Sequence, residues 1–341
     1  MTDLPAATTR PAPFPSIVEQ RLFEISPLGT FGTALAILLV LVGSFEGLAF
    51  AVGYPLGDQL SFSPAEGAWP AFILSLLIAV ALGMQRYAHL KDIEDGPALS
   101  RLMGCNAMEM EVDNAPARRR IVRAGFVGAF VGLCISYIAV PAHVRSGHVL
   151  VFLWFAVIMA LLGAMFARGS TMTRIGARGF SRRIDRDLKI DLLRIDELSI
   201  IGRSGARTAL IWLSVAAVIS LFFVSGNADG LVIATVVFAA GMALWIFYRS
   251  LDHVHRRIRD AKRAELDRLR HSIAEARAQC AQDHTAATRL HGLLAYETRI
   301  EAVHEWPFDH LTLIRIAAYV LIPAAPALGQ YALKYVTGHL A

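Results

Sequence analysis

The chain has 341 residues, 55% apolar and only 18% charged, with a formal net charge of +5 and a mean hydropathy of +0.49. A soluble domain of this size carries about a quarter charged residues, and here the apolar excess is gathered into blocks of about 20 residues. That excludes a soluble enzyme, a disordered chain, a secreted disulfide scaffold and a free DNA-binding protein. It implies an all-α, polytopic helical membrane protein with about seven transmembrane helices.

Residues 1–30 read as a cytoplasmic tail. Pro5, Pro11, Pro13 and Pro15 argue against regular structure at its start, and Ile17, Val18, Leu22 and Phe23 then form a short amphipathic segment suited to the inner membrane surface. The first transmembrane hairpin occupies 31–84, with spans at about 31–53 and 70–84. Ala49-Phe50-Ala51 has the form of a signal-peptidase site. The preceding residues lack a basic excess and the apolar run is long, so span 1 is expected to remain as an anchor.

Span 1 also holds the clearest charge out of place. Glu46 lies in Gly43-Ser44-Phe45-Glu46-Gly47, past the midpoint of the span. An ionisable group in hydrocarbon costs several kcal/mol and is a functional candidate by default. Gly43 and Gly47 would permit close helix approach or local unwinding, and Ser44 adds a hydroxyl, so this group is a candidate intramembrane ion or proton site. The competing reading is a protonated or hydrogen-bonded glutamate that holds helices together.

A cytoplasmic segment, 85–123, ends in Arg118-Arg119-Arg120 and Arg123, a topogenic cluster expected to meet anionic lipid. The second hairpin, 124–166, has spans at 124–142 and 148–166. Gly128-xxx-Gly132, extended by Ala124, is a helix-packing motif. The basic segment 167–207 is expected to form a surface helix over about 181–198, stopped near Gly202. The third hairpin, 208–247, has spans at 208–224 and 231–247. Tyr54, Trp69, Trp154, Trp212, Trp245, Tyr248 and Trp306 read as interfacial aromatics, with Trp154 and Trp212 sitting somewhat inside their spans.

Residues 248–310 form the most informative polar part. Leu266, Leu269, Ile273, Ala276 and Cys280 alternate steps of three and four, the pattern of a coiled-coil seam. One helix over 249–305 would reach about 85 Å from the membrane, yet the next apolar stretch begins near 311. The chain is therefore expected to fold back near 277–285, as a cytoplasmic antiparallel helical hairpin about 40 Å tall. Trp306-Pro307-Phe308-Asp309 would make the re-entry corner. The last segment, 311–341, holds a span at 311–329 that Pro323 and Pro326 kink or turn into a re-entrant loop. Arg315 lies near its inner end, where it can snorkel, so Arg315 and Trp306 are candidate interface anchors.

Thirty of the thirty-three basic residues fall in the alternate segments 1–30, 85–123, 167–207 and 249–310. The positive-inside rule then places the N-terminus in the cytoplasm and, after seven crossings, the C-terminus outside. Those segments also hold 24 acidic residues, so the basic excess is a mark of orientation and not a nucleic-acid surface. The bias to Arg over Lys fits a GC-rich bacterial genome, and an inner-membrane location follows as the expectation. Cys105, Cys134 and Cys280 have no metal-site spacing, and neither do the histidines, including His253-Val-His255, the loop pair His143 and His148, and the pair His271 and His291. No cofactor or metal is implied. No phosphate loop, nucleophile elbow or zinc helix motif is present, so nothing points to an enzyme.

Two readings of function follow. The favoured one is a membrane-anchored interaction or signalling scaffold, in which 250–305 recruits a cytoplasmic protein or self-associates. The alternative is an ion or small-solute channel or transporter with Glu46 in its pathway.

Overall fold

A computed structural model describes residues 18–54, 67–103, 115–187, 199–225, 230–279 and 284–303, together with 192, 318, 321 and 329. Every regular element among them is helical: α1 (Val18–Ile25), α2 (Gly29–Ala51), α3 (Ala68–Met103), α4 (Ala115–Ala139), α5 (Ala142–Gly147), α6 (Val149–Asp187), α7 (Ser199–Ser220), a 3-10 turn (Leu221–Ser225), α8 (Gly230–Gln279) and α9 (His284–Glu301). Six of these (α2, α3, α4, α6, α7 and α8) are long and apolar enough to cross a membrane, as expected of a multi-pass membrane protein. The expected span at 311–329, with Arg315, and the corner at Trp306 lie outside the described residues, apart from positions 318, 321 and 329.

Length explains the shape of the longer helices. A crossing needs about 30 Å of helix, whereas α3 has 36 residues, α6 39 and α8 50, or about 54, 58 and 75 Å at 1.5 Å per residue. Each is apolar first and charged afterwards, without a break between the two parts. In α8 the change falls at Trp245, Tyr248 and Arg249, with the Arg249 guanidinium 5.7 Å from the Trp245 ring centroid. The aromatic face and the cation suit the boundary between hydrocarbon and water.

Sequence neighbours pack as pairs. α2 lies against α3, α4 against α6 and α7 against α8, and α3 with α7 ties the pairs together. The crossing stretches of α3 and α7 are the most buried and that of α2 the least. Ile73 and Ile78 from α3, Val151 from α6, Ala216 from α7 and Ala243 from α8 form the centre of the shared core. Trp212 is part of that core, 6% exposed and edge-on to Phe166 and Phe238. It is a packing residue and not the interfacial aromatic its composition suggested, because α7 is enclosed on several sides. Gly29 adopts φ +68°, which permits the sharp turn between α1 and α2.

The segment between α6 and α7 departs from expectation. No separate helix begins near 181, because α6 runs on from the apolar stretch to Asp187. Gly202 does not stop a helix either, since it lies buried inside α7. A glycine in a helix interior weakens the helix by only about 1 kcal/mol, and packing offsets that amount.

The closest helix contact is made by glycines. A Cβ on Gly128 would lie 2.1 Å from the Gly163 carbonyl oxygen, and one on Gly132 2.1 Å from the Met159 carbonyl oxygen. The reverse holds too, since a Cβ on Gly163 would meet the Gly128 carbonyl at 2.1 Å. The Gly128-xxx-Gly132 motif thus brings the α4 and α6 backbones together, and the row continues through Gly125, where the Arg168 stem lies across the helix. Without a hydrophobic drive between helices in lipid, such close packing holds pairs together. Gly128→Ala should therefore force the pair apart and cost about 1–3 kcal/mol, read as a lower apparent Tm in detergent. Gly241→Ala, where a Cβ meets nothing within 4 Å, should hold or slightly raise Tm.

Candidate functional site

The Glu46 region is divided by helix geometry. Phe45 points into the bundle, 1% exposed, with its ring 4.9 Å from Trp154 and 5.6 Å from Phe155. Ser44, at the edge of that contact, accepts a hydrogen bond of 3.0 Å from Trp154 Nε1 and donates to the Leu41 carbonyl. One residue further on, the 100° step per residue turns Glu46 to the outer face. There it is exposed, with neither a hydrogen bond nor an ion pair to a described residue.

The two glycines do not act as expected. α2 is helical from Gly29 to Ala51, so its backbone is not unwound at 43–47. A Cβ on Gly43 or Gly47 would meet nothing within 4 Å. Both lie on the exposed face that carries Glu46, beside Leu39, Val40 and Phe50. The structure therefore joins Ser44 to α6 and leaves Gly43, Glu46 and Gly47 on the outer surface of α2.

A second polar group was not singled out from sequence. The apolar stretch of α3 ends at Met84, and Asp92 and Asp95 lie two to three turns beyond it. Arg207 of α7 reaches both, with Nη2 2.5 Å from Asp95 and 3.6 Å from Asp92, and Ser204 Oγ stands 3.5 Å from the Asp92 carboxylate. The Arg207 side chain is 12% exposed, against 27% for Asp95 and 55% for Asp92. Burial beside α7 raises the Asp92 pKa above the usual carboxylate value, and Arg207 works against that shift. On the same stretch of α3, burial and then the Arg86 charge lower His89. Arg86 itself pairs with Glu24 at 3.4 Å, tying α1 to α3.

This junction is a clamp. It joins the polar ends of the two most enclosed helices through a guanidinium that can engage two carboxylates. Its sequence signal was an i, i+3 pair of aspartates, which places both on one helix face. Nothing local could name Arg207, 112 residues away, as the partner. Among the described residues, no group of three or more His, Cys, Asp or Glu side chains is arranged to hold a metal. His148, one of the loop pair, packs edge-on to Tyr54 with ring centroids 5.0 Å apart.

The two aspartates should respond differently to neutralisation. Asp95→Asn weakens the short pair and should cost about 2 kcal/mol, seen as a lower apparent Tm at pH 7. Asp92 has a raised native pKa, so its contribution is most favourable at low pH and is lost as pH rises through that value. Asp92→Asn should then hold or raise Tm at pH 7, with the difference from wild type disappearing near pH 3. A large loss at pH 7 would contradict the assignment.

No known protein family matches the chain, and no curated protein or solved structure is similar to it.

Proposed function

We propose that the protein is a membrane-anchored interaction or signalling scaffold that presents the polar arm 248–310 to a cytoplasmic partner. The supporting observation is that α8 passes from the apolar stretch to Gln279 as one helix. An arm continuous with a membrane helix carries force and position to the bundle without a flexible joint.

The second strand of the arm adds to this reading. Lys262 Nζ donates to the carbonyls of Glu301 and Val303 at 2.8 and 2.9 Å, and Arg270 pairs with Glu297 at 3.4 Å and Glu301 at 3.7 Å. Later residues of α8 thus meet earlier residues of α9, the order of an antiparallel helical hairpin. The lysine also satisfies carbonyls left free where α9 ends. Leu269, Ala276 and Ile300 are buried, and Leu266 and Ile273 are half-buried, within the contact. Towards the far end, Arg270, Ile273, Ala274, Arg277, Ala278 and Glu297 line an open groove of about 540 Å³. A partner segment with an apolar anchor and acidic flanks suits that lining.

In this reading the N-terminus is cytoplasmic, seven helices cross a bacterial inner membrane, and the C-terminus is outside. Replacing 255–303 by a short linker should abolish partner capture and the cellular phenotype while the bundle still inserts. Full activity of the deleted form would refute the scaffold.

A second reading, ion or solute transport, rests on one feature: an intramembrane carboxyl, Glu46, without a partner among the described residues. It requires Glu46 to meet a pathway formed with another helix. Glu46→Gln should then reduce proton or cation flux in reconstituted vesicles at least ten-fold with insertion intact, and unchanged flux would end that role.

A further inference from the structure

We propose that the outer face of α4 is a binding site for an anionic membrane phospholipid, with Arg119 and Arg123 holding the headgroup and Arg118 and Arg120 flanking it.

Two arginines at the polar ends of other helices are already engaged, Arg86 by Glu24 and Arg207 by Asp92 and Asp95. Arg118, Arg119, Arg120 and Arg123 are all exposed. None of the four has an ion pair or hydrogen bond with a described residue. Four uncompensated guanidinium groups on two turns of one helix repel one another, and an anion placed among them removes that repulsion. Guanidinium matches phosphate oxygens bidentately.

The helix below the cluster selects a lipid as the bearer of that phosphate. At 100° per residue, Arg119, Arg123, Phe126, Phe130, Leu133 and Tyr137 fall on one face, with Arg118 and Arg120 about 100° to either side. Phe126, Phe130, Leu133 and Tyr137 are 75%, 67%, 45% and 62% exposed, so the row is open along its length. From Arg119 to Tyr137 it runs about 27 Å, close to the thickness of the hydrocarbon core. The opposite face of α4 is occupied, since Gly125, Gly128 and Gly132 seat it on α6. The far end of the row differs in kind. Arg145 lies 4.3 Å from the Tyr137 ring centroid and donates to the Tyr137 carbonyl, so that cation is taken up within the protein. The free charge is thus confined to one end of an apolar track one leaflet pair long.

The test uses the full chain reconstituted in phosphatidylcholine bilayers, with spin-labelled phosphatidylglycerol and phosphatidylcholine as probes of the motionally restricted lipid. Wild type should prefer phosphatidylglycerol several-fold. Arg119→Gln and Arg123→Gln, singly, should each reduce that preference by up to about five-fold, the worth of one basic residue at a membrane surface. The double variant should approach parity, whereas the double Lys variant, which keeps the charge, should retain most of the preference. Arg174→Gln, an exposed arginine on α6, should leave it unchanged. Preference that survives in the double Gln variant would overturn the site. If that variant fails to insert, unchanged preference in both single variants would overturn it equally. Displacement of phosphatidylglycerol by inorganic phosphate, beyond the effect of sodium chloride at equal ionic strength, would show a free-anion site and would also refute the lipid assignment.

Discussion

Hydrocarbon offers no partner for a backbone amide or carbonyl, and the rest of this molecule is arranged around that fact. Each segment that enters must bond its own backbone, so it enters as helix. A helix so committed has no reason to stop at the membrane surface when the residues beyond it are good helix formers. That is why α8 continues as a charged helix well past its apolar stretch, and α3 and α6 also run on, across Pro97 and Gly176. Much of the described polar part is therefore an extension of the long apolar helices, and the polar end of α8 inherits its direction from the bundle.

Holding the helices to one another is a separate problem, since lipid tails are as apolar as leucine. Two solutions coexist here. Between α4 and α6 glycines remove the side chains and let backbones touch. At the polar end of α3 and α7, beyond the hydrocarbon, Arg207 clamps two aspartates. α2 makes one looser contact of the first kind, where a Cβ on Gly83 of α3 would meet Ala34 at 3.3 Å. It is also attached through Phe45, Ser44 and Ala49, and leaves most of its surface outward. Glu46 belongs to that outward surface.

Charge divides the arginines into two groups that composition alone merges. Some, such as Arg207, Arg270 and Arg86, are structural, because a carboxylate from another helix meets each. The four at the start of α4 meet none among the described residues. The same residue type thus acts inside the fold in one case and is exposed in the other.

The sequence by itself determined the class, the helical character and the position of six crossing stretches, because apolar length is a local property read along the chain. It also marked Gly128 and Gly132 as packing residues and put a turn near 277–285, where α8 gives way to α9. It misjudged Gly43, Gly47, Gly202 and Trp212, and it did not find the clamp of Arg207 on Asp92 and Asp95. Those outcomes depend on which helix lies opposite, and opposition is set by contacts between residues far apart in sequence. Gly128 and Gly43 occupy equivalent small-residue motifs, yet one meets a carbonyl at contact distance and the other meets nothing among the described residues. Only the tertiary structure could separate them, because a glycine states how near a neighbour can come and not whether one is there.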